Sequence, residues 1–86
     1  MLTPERVKKL RKLKGWTLRE LGQKAGLHYS MIFYIEKQKR GLSSASEKKI
    51  LDAFEIDNVA TLERLLALYD YLEVERRGGG ENSDGE

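Results

Sequence analysis

The sequence predicts an all-α fold, a compact bundle of five helices, and three observations predict it. Apolar residues recur three and four positions apart along most of the chain, and no stretch alternates apolar and polar residues over strand length. Two segments carry the capping-box pattern, Thr17 with Glu20 and Ser44 with Glu47. Glycines stand just past the ends of periodic segments, at Gly15, Gly26 and Gly78–Gly80, where a left-handed residue closes a helix without steric cost.

The elements follow in order. Thr3 is a good N-cap and Pro4 suits a first helical position, so a helix is predicted over 3–14. Leu2, Val7, Leu10 and Leu13 line its apolar face, and Gly15 stops it. Thr17 opens a short second helix with Leu18, Leu21 and Ala25 inward, closed by Gly26. A third helix runs from about His28 to Lys37 with Ile32 and Ile35 inward. A basic connector, Gln38–Leu42, leads to a fourth helix opened by Ser44 and carrying Ile50, Leu51, Ala53 and Phe54. Ile56 folds back on the core, and Asp57 and Asn58 cap a fifth helix from Val59 to about Arg76. The expected organisation is a domain over 1–57, a C-terminal helix over 58–77 and a disordered acidic tail over 78–86.

Composition narrows the function. The chain has 86 residues, room for one domain. It has no cysteine and one histidine, His28, which excludes disulfides and gives no set of metal ligands; no metal or cofactor is expected. No glycine-rich phosphate loop follows a strand, so an enzyme is not expected either. No apolar run reaches the roughly 20 residues of a membrane span, and no apolar signal core follows Met1, so the default compartment is the cytoplasm. The net charge of +2 hides a split. Residues 1–49 hold 13 Lys and Arg against 4 Asp and Glu, a charge of +9. Residues 50–86 hold 3 against 10, a charge of −7. The basic half fits a polyanionic partner, and the acidic half faces something else.

Residues 15–36 combine two short capped helices, a tight turn containing Gly26 and a second helix with a variable outer face. A plain αα corner has that outline, and so has the helix-turn-helix, whose second helix enters the major groove. The segment "ERVKKLRKLKGWTLRELGQKAGLHYSMIFYIEKQKR" resembles the lambda-repressor-like, Xre/Cro type of helix-turn-helix DNA-binding domain. The matching residues are Arg11, Gly15, Thr17, Leu21, Ala25-Gly26, Ile32 and Ile35-Glu36, and a weaker likeness continues to about Ile56. The resemblance implies a structural ion pair between Arg11 and Glu36. It implies base reading by His28, Tyr29, Ser30, Phe33 and Tyr34, and phosphate binding by Thr17, Arg19, Lys37, Lys39 and Arg40.

Three departures stand out. Leu18 replaces the family's usual Gln and cannot hydrogen-bond a phosphate. Gln38 stands where a Gly often follows, so the third helix could end differently. The reading face has no Arg, Asn or Gln, the residues that pair most directly with guanine and adenine. Its aromatic rings suit either thymine methyls and sugars or a protein partner. The cationic rim of Lys14, Arg19, Lys37, Lys39 and Arg40 favours double-stranded DNA, with a protein-interaction adaptor as the alternative.

Leu62, Leu65, Tyr69 and Leu72 form a heptad-like seam on the fifth helix. The seam either covers the domain's own core or pairs two copies, and a homodimer is the reading taken. The expected protein is a DNA-binding transcriptional regulator, a repressor, that places the helix over 28–37 in the major groove as a dimer.

Overall fold

The computed structural model describes residues 1–81. Five helices occur among them and no strand: α1 (Pro4–Lys14), α2 (Leu18–Ala25), α3 (Tyr29–Glu36), α4 (Ser44–Ala53) and α5 (Val59–Glu81).

Local chemistry sets most of the boundaries. The Thr3 hydroxyl accepts from the Arg6 N–H and opens α1. Thr17 and Glu20 form a reciprocal capping box, each side chain accepting from the other's backbone N–H. The Asn58 side chain accepts from the Thr61 N–H at 2.8 Å and starts α5. Gly15 (φ 74°) and Gly26 (φ 70°) close α1 and α2 in the left-handed region.

Two boundaries, and the way a third is closed, differ from the sequence reading. Ser43, not Ser44, caps α4, accepting from the Ser46 N–H. Glu47 therefore sits one position too late to complete a box. It turns away and accepts from the Leu2 N–H at 2.7 Å. Second, α3 stops at Glu36 although no glycine follows: Gln38 itself adopts φ 61°. Its N–H donates to the Ile35 carbonyl and that of Lys39 to the Tyr34 carbonyl, the crossed pattern that usually relies on glycine. Third, α5 runs through Gly78–Gly80 to Glu81. Glycine costs a helix about 1 kcal/mol without removing a hydrogen bond, so it weakens a long helix but need not stop it. The rest of the expected tail, 82–86, lies outside the described residues.

The core draws on every helix. Val7 and Leu10 of α1, Leu21 of α2, Ile32 of α3, Ile50 of α4 and Leu62 of α5 are buried to 1 % exposure or less. Phe54 and Ile56 close it from the α4–α5 turn, and Leu2 from the N-terminal side. α2 packs on α3 and α4, while α1 packs on α5 and α3. Leu62 is thus wholly a residue of this chain's own core, with no surface left for a second copy. Leu65 packs partly against the same core.

Candidate nucleic-acid interface

The α2–turn–α3 unit is fixed from three sides. Gly22 on α2 faces the turn so closely that a Cβ there would lie 2.6 Å from the Leu27 carbonyl oxygen and 3.3 Å from the Tyr29 nitrogen. Only a residue without a side chain lets α3 start where it does, a constraint that helical spacing does not reveal. Ile32 and Ile35, at 0 % exposure, anchor the inner side of α3. Its far end is tied to α1 by Arg11, whose guanidinium donates to both Glu36 carboxylate oxygens at 2.7 and 2.9 Å. The hydrogen bond to Glu36 raises the Arg11 pKa above its ordinary value, against the opposing effect of burial. Arg11 also donates to the Trp16 carbonyl at 3.0 Å, so one guanidinium joins α1, the start of the α2 segment and the end of α3.

The outer side of α3 carries the candidate reading residues, in unequal states. His28 is exposed and caps the helix: the Ser30 N–H donates to its Nδ1 at 3.1 Å. Its ring stacks on Tyr29 with centroids 4.7 Å apart. Tyr29 and Ser30 are half-buried, and the Arg19 guanidinium lies 4.0 Å from the Tyr29 ring centre. Phe33 and Tyr34 are the open pair, 39 % and 44 % exposed, packed edge to face at 5.3 Å.

The cations frame this face. Lys37, Lys39 and Arg40 are exposed at and beyond the end of α3, and the Lys37 ammonium lies 5.7 Å from the Phe33 ring centre. Thr17 already uses its side chain as acceptor and its N–H as donor within the capping box. Its hydroxyl proton remains available to an anion. Leu18, which departs from the family pattern, packs against the core.

Trp16 lies between α1 and α2, outside any periodic segment, so helical spacing gives it no role. It is half-buried, stacks on Phe54 at 5.1 Å, and has the ammonium groups of Lys24 and Lys14 at 4.9 and 6.0 Å from its ring centre. The ring is therefore a platform that holds two cations beside the α1–α2 junction.

The helix-turn-helix family model matches residues 7–57, more than half of the chain. The chain belongs to the lambda-repressor-like helix-turn-helix family. Curated proteins and solved structures gave no match. The helix-turn-helix match begins in α1 and ends at Asp57, before α5 begins. Domains of this family bind DNA and act in transcription regulation, and the chain is a DNA-binding protein of that kind.

Outside the helix-turn-helix match, α5 packs Leu62 and Leu66 into the core shared with α1, and ion pairs flank that contact. Arg6 pairs with Glu63 at 3.9 Å and Lys9 with Asp70 at 3.2 Å. The Lys9 ammonium also lies 5.9 Å from the Tyr69 ring centre. Burial, then the neighbouring Glu73 carboxylate, pushes the Tyr69 phenol up. Of the expected seam, Leu62 and part of Leu65 therefore face inward, Tyr69 meets α1, and Leu72 is exposed. The outward apolar side of α5 is instead Leu68, Tyr71 and Leu72, 46 %, 60 % and 42 % exposed. Among the described residues no group of His, Cys, Asp and Glu is arranged to hold a metal, and no helix is long and apolar enough to cross a membrane.

Proposed function

We propose that this protein is a sequence-specific transcriptional repressor that inserts α3 into the major groove of DNA as a homodimer. The observation that carries this reading is the pinned outer face of α3, with its cationic frame. Phosphate contacts fix the register of a protein on the duplex, and base-edge contacts choose the sequence. Lys37, Lys39, Arg40 and Thr17 are offered for the first role. Phe33 and Tyr34 are offered for the second, against thymine methyls and sugars, with His28, Tyr29 and Ser30 at the leading end of the helix. Repression asks only that a promoter be occupied, which a reading head supplies without further machinery.

The exposed Phe33–Tyr34 pair also suits a protein partner, since aromatic residues are enriched at interface cores. The cations around it favour DNA, because an apolar partner surface has no use for them.

The dimer reading now rests on Leu68, Tyr71 and Leu72. Arg64, Leu68, Tyr71 or Leu72, and Glu75 share one side of α5 at helical spacing. In an antiparallel two-fold pairing centred between Tyr69 and Asp70, Arg64 of one copy lies opposite Glu75 of the other. Such an interface is self-complementary, as two-fold symmetry demands.

The test is selection of bound sequences from a pool of random duplexes. A palindromic consensus supports the reading, and failure to enrich any sequence contradicts it. Tyr34→Ala is expected to alter the selected sequence, whereas Lys39→Ala weakens all sequences alike and flattens the salt dependence.

A further inference from the structure

The backbone N–H of Ser30 has a proton to give and no means of accepting one. It lies 3.1 Å from Nδ1 of His28, so Nδ1 must be the acceptor. The Ser30 hydroxyl lies 2.8 Å from the same nitrogen and can donate to it as well. In a neutral imidazole one nitrogen accepts and the other carries the proton. With Nδ1 committed as acceptor, the proton belongs on Nε2. No hydrogen bond to Nε2 occurs among the described residues, and the side chain is exposed.

The plane of the ring is held too. His28 stacks on Tyr29 at 4.7 Å with 28° between the planes. Tyr29 in turn carries the Arg19 guanidinium 4.0 Å from its ring centre. Gly22 brings the turn close enough for this cluster to form at the first residues of α3. Cap, stack and turn thus fix both the tautomer and the orientation of the imidazole before any ligand arrives.

We infer that His28 is a specificity-determining residue: an imidazole held with Nδ1 as acceptor, so that Nε2–H is its single outward donor and selects a base edge presenting acceptors. The inference rests on the DNA-binding reading and adds the direction of the hydrogen bond. In the major groove guanine offers two acceptors, N7 and O6, and adenine N7 and thymine O4 one each, whereas cytosine N4 and adenine N6 are donors. A lone donor at this place therefore favours guanine, which presents two acceptors and no donor, and rejects cytosine, which presents only a donor. The opposite tautomer, with Nε2 free to accept, has the reverse preference. Arg19 then acts as a positioning residue through Tyr29, besides any contact it makes with phosphate.

The experiment has two arms. His28 is the only histidine, so nitrogen-15 NMR of the free full chain reads its tautomer without overlap. With the ring neutral, a protonated Nε2 and a bare Nδ1 are expected; the Nδ1–H form, or an even mixture, overturns the inference. The second arm compares wild type with His28→Ser in selection from random duplexes. Serine is a good N-cap and keeps α3 closed, but it cannot present the imidazole donor. Wild type is expected to enrich guanine over cytosine at one position of each half-site. His28→Ser should lose that preference by on the order of tenfold, with the other positions and the salt slope unchanged. Uniform weakening with a flatter salt slope assigns His28 to phosphate and overturns the inference. A wild-type protein that selects no duplex overturns the DNA reading itself, and this inference with it, whatever the tautomer.

Discussion

Arg11 on α1 and Glu36 at the end of α3 meet across 25 positions of sequence in a two-point ion pair, 14 % and 7 % exposed. The planar guanidinium matches the carboxylate with two parallel N–H bonds, which lysine cannot reproduce. The pair decides how α3 stands relative to α1, and so how the outer face is presented.

Removing one partner strands the other charge where little water reaches it. Arg11→Met is expected to cost about 3 kcal/mol, and Glu36→Gln a comparable amount. Replacing both, with Arg11→Met and Glu36→Leu, should recover most of the loss. Urea unfolding midpoints check all three. Single losses of a few tenths of a kcal/mol would show that the pair does not hold α3.

Gln38 and Glu55 both sit in the left-handed region, at φ 61° and 59°. Each closes a helix with the same crossed bonds, from Gln38 and Lys39 after α3 and from Glu55 and Ile56 after α4. A side chain in that region costs roughly 1–2 kcal/mol, partly offset by the greater chain entropy of glycine when unfolded. Gln38→Gly and Glu55→Gly should therefore each raise stability by about 1 kcal/mol, read from the shift in thermal midpoint. A loss in either variant would mean that the side chain makes a contact stronger than the strain.

Glu47 gives the acid side of the stability curve a named contributor. The hydrogen bond from the Leu2 N–H holds its carboxyl below the ordinary carboxylate range, against desolvation and with help from the N-terminal ammonium. A carboxyl whose pKa is lower folded than unfolded adds stability above its unfolded pKa. That stability drains away as pH falls through the folded pKa. Glu47→Gln should be less stable than wild type at neutral pH, and the difference should shrink toward zero below about pH 4. A constant difference across that range would assign the effect to packing.

The two sides of α5 should respond oppositely to charge. Leu62→Asp and Leu65→Asp face the core and are expected to unfold the chain. Leu68→Asp and Leu72→Asp stand on the exposed side and should leave circular dichroism intact while halving the mass measured by sedimentation. A folded wild-type monomer would remove the dimer from the account.

Much of this architecture was legible in the sequence where local chemistry decides it. Thr17 with Glu20, Asn58, Gly15 and Gly26 mark boundaries because each satisfies or ends backbone hydrogen bonds within a few residues. Legibility fails where a distant partner decides. Ser44 and Glu47 match a capping box in spacing, yet Leu2 takes the Glu47 carboxylate and Ser43 takes the cap. Leu62, Leu65, Tyr69 and Leu72 share a heptad seam, but the same spacing serves a core face and an interface, and only docking on α1 separates them. The importance of Gly22 was invisible, because it depends on the approach of the Leu27 carbonyl. At the reading face, residue types were legible, while the stacking of His28 and Arg19 on Tyr29 was not.

The most direct test of the account is to map backbone amide shifts on adding a selected duplex to the nitrogen-15-labelled full chain. The account predicts that the largest changes fall on Thr17–Arg19 and His28–Arg40, with the exposed side of α5 unmoved. Changes confined to α5, or none at saturating duplex, would contradict the placement of α3 on DNA.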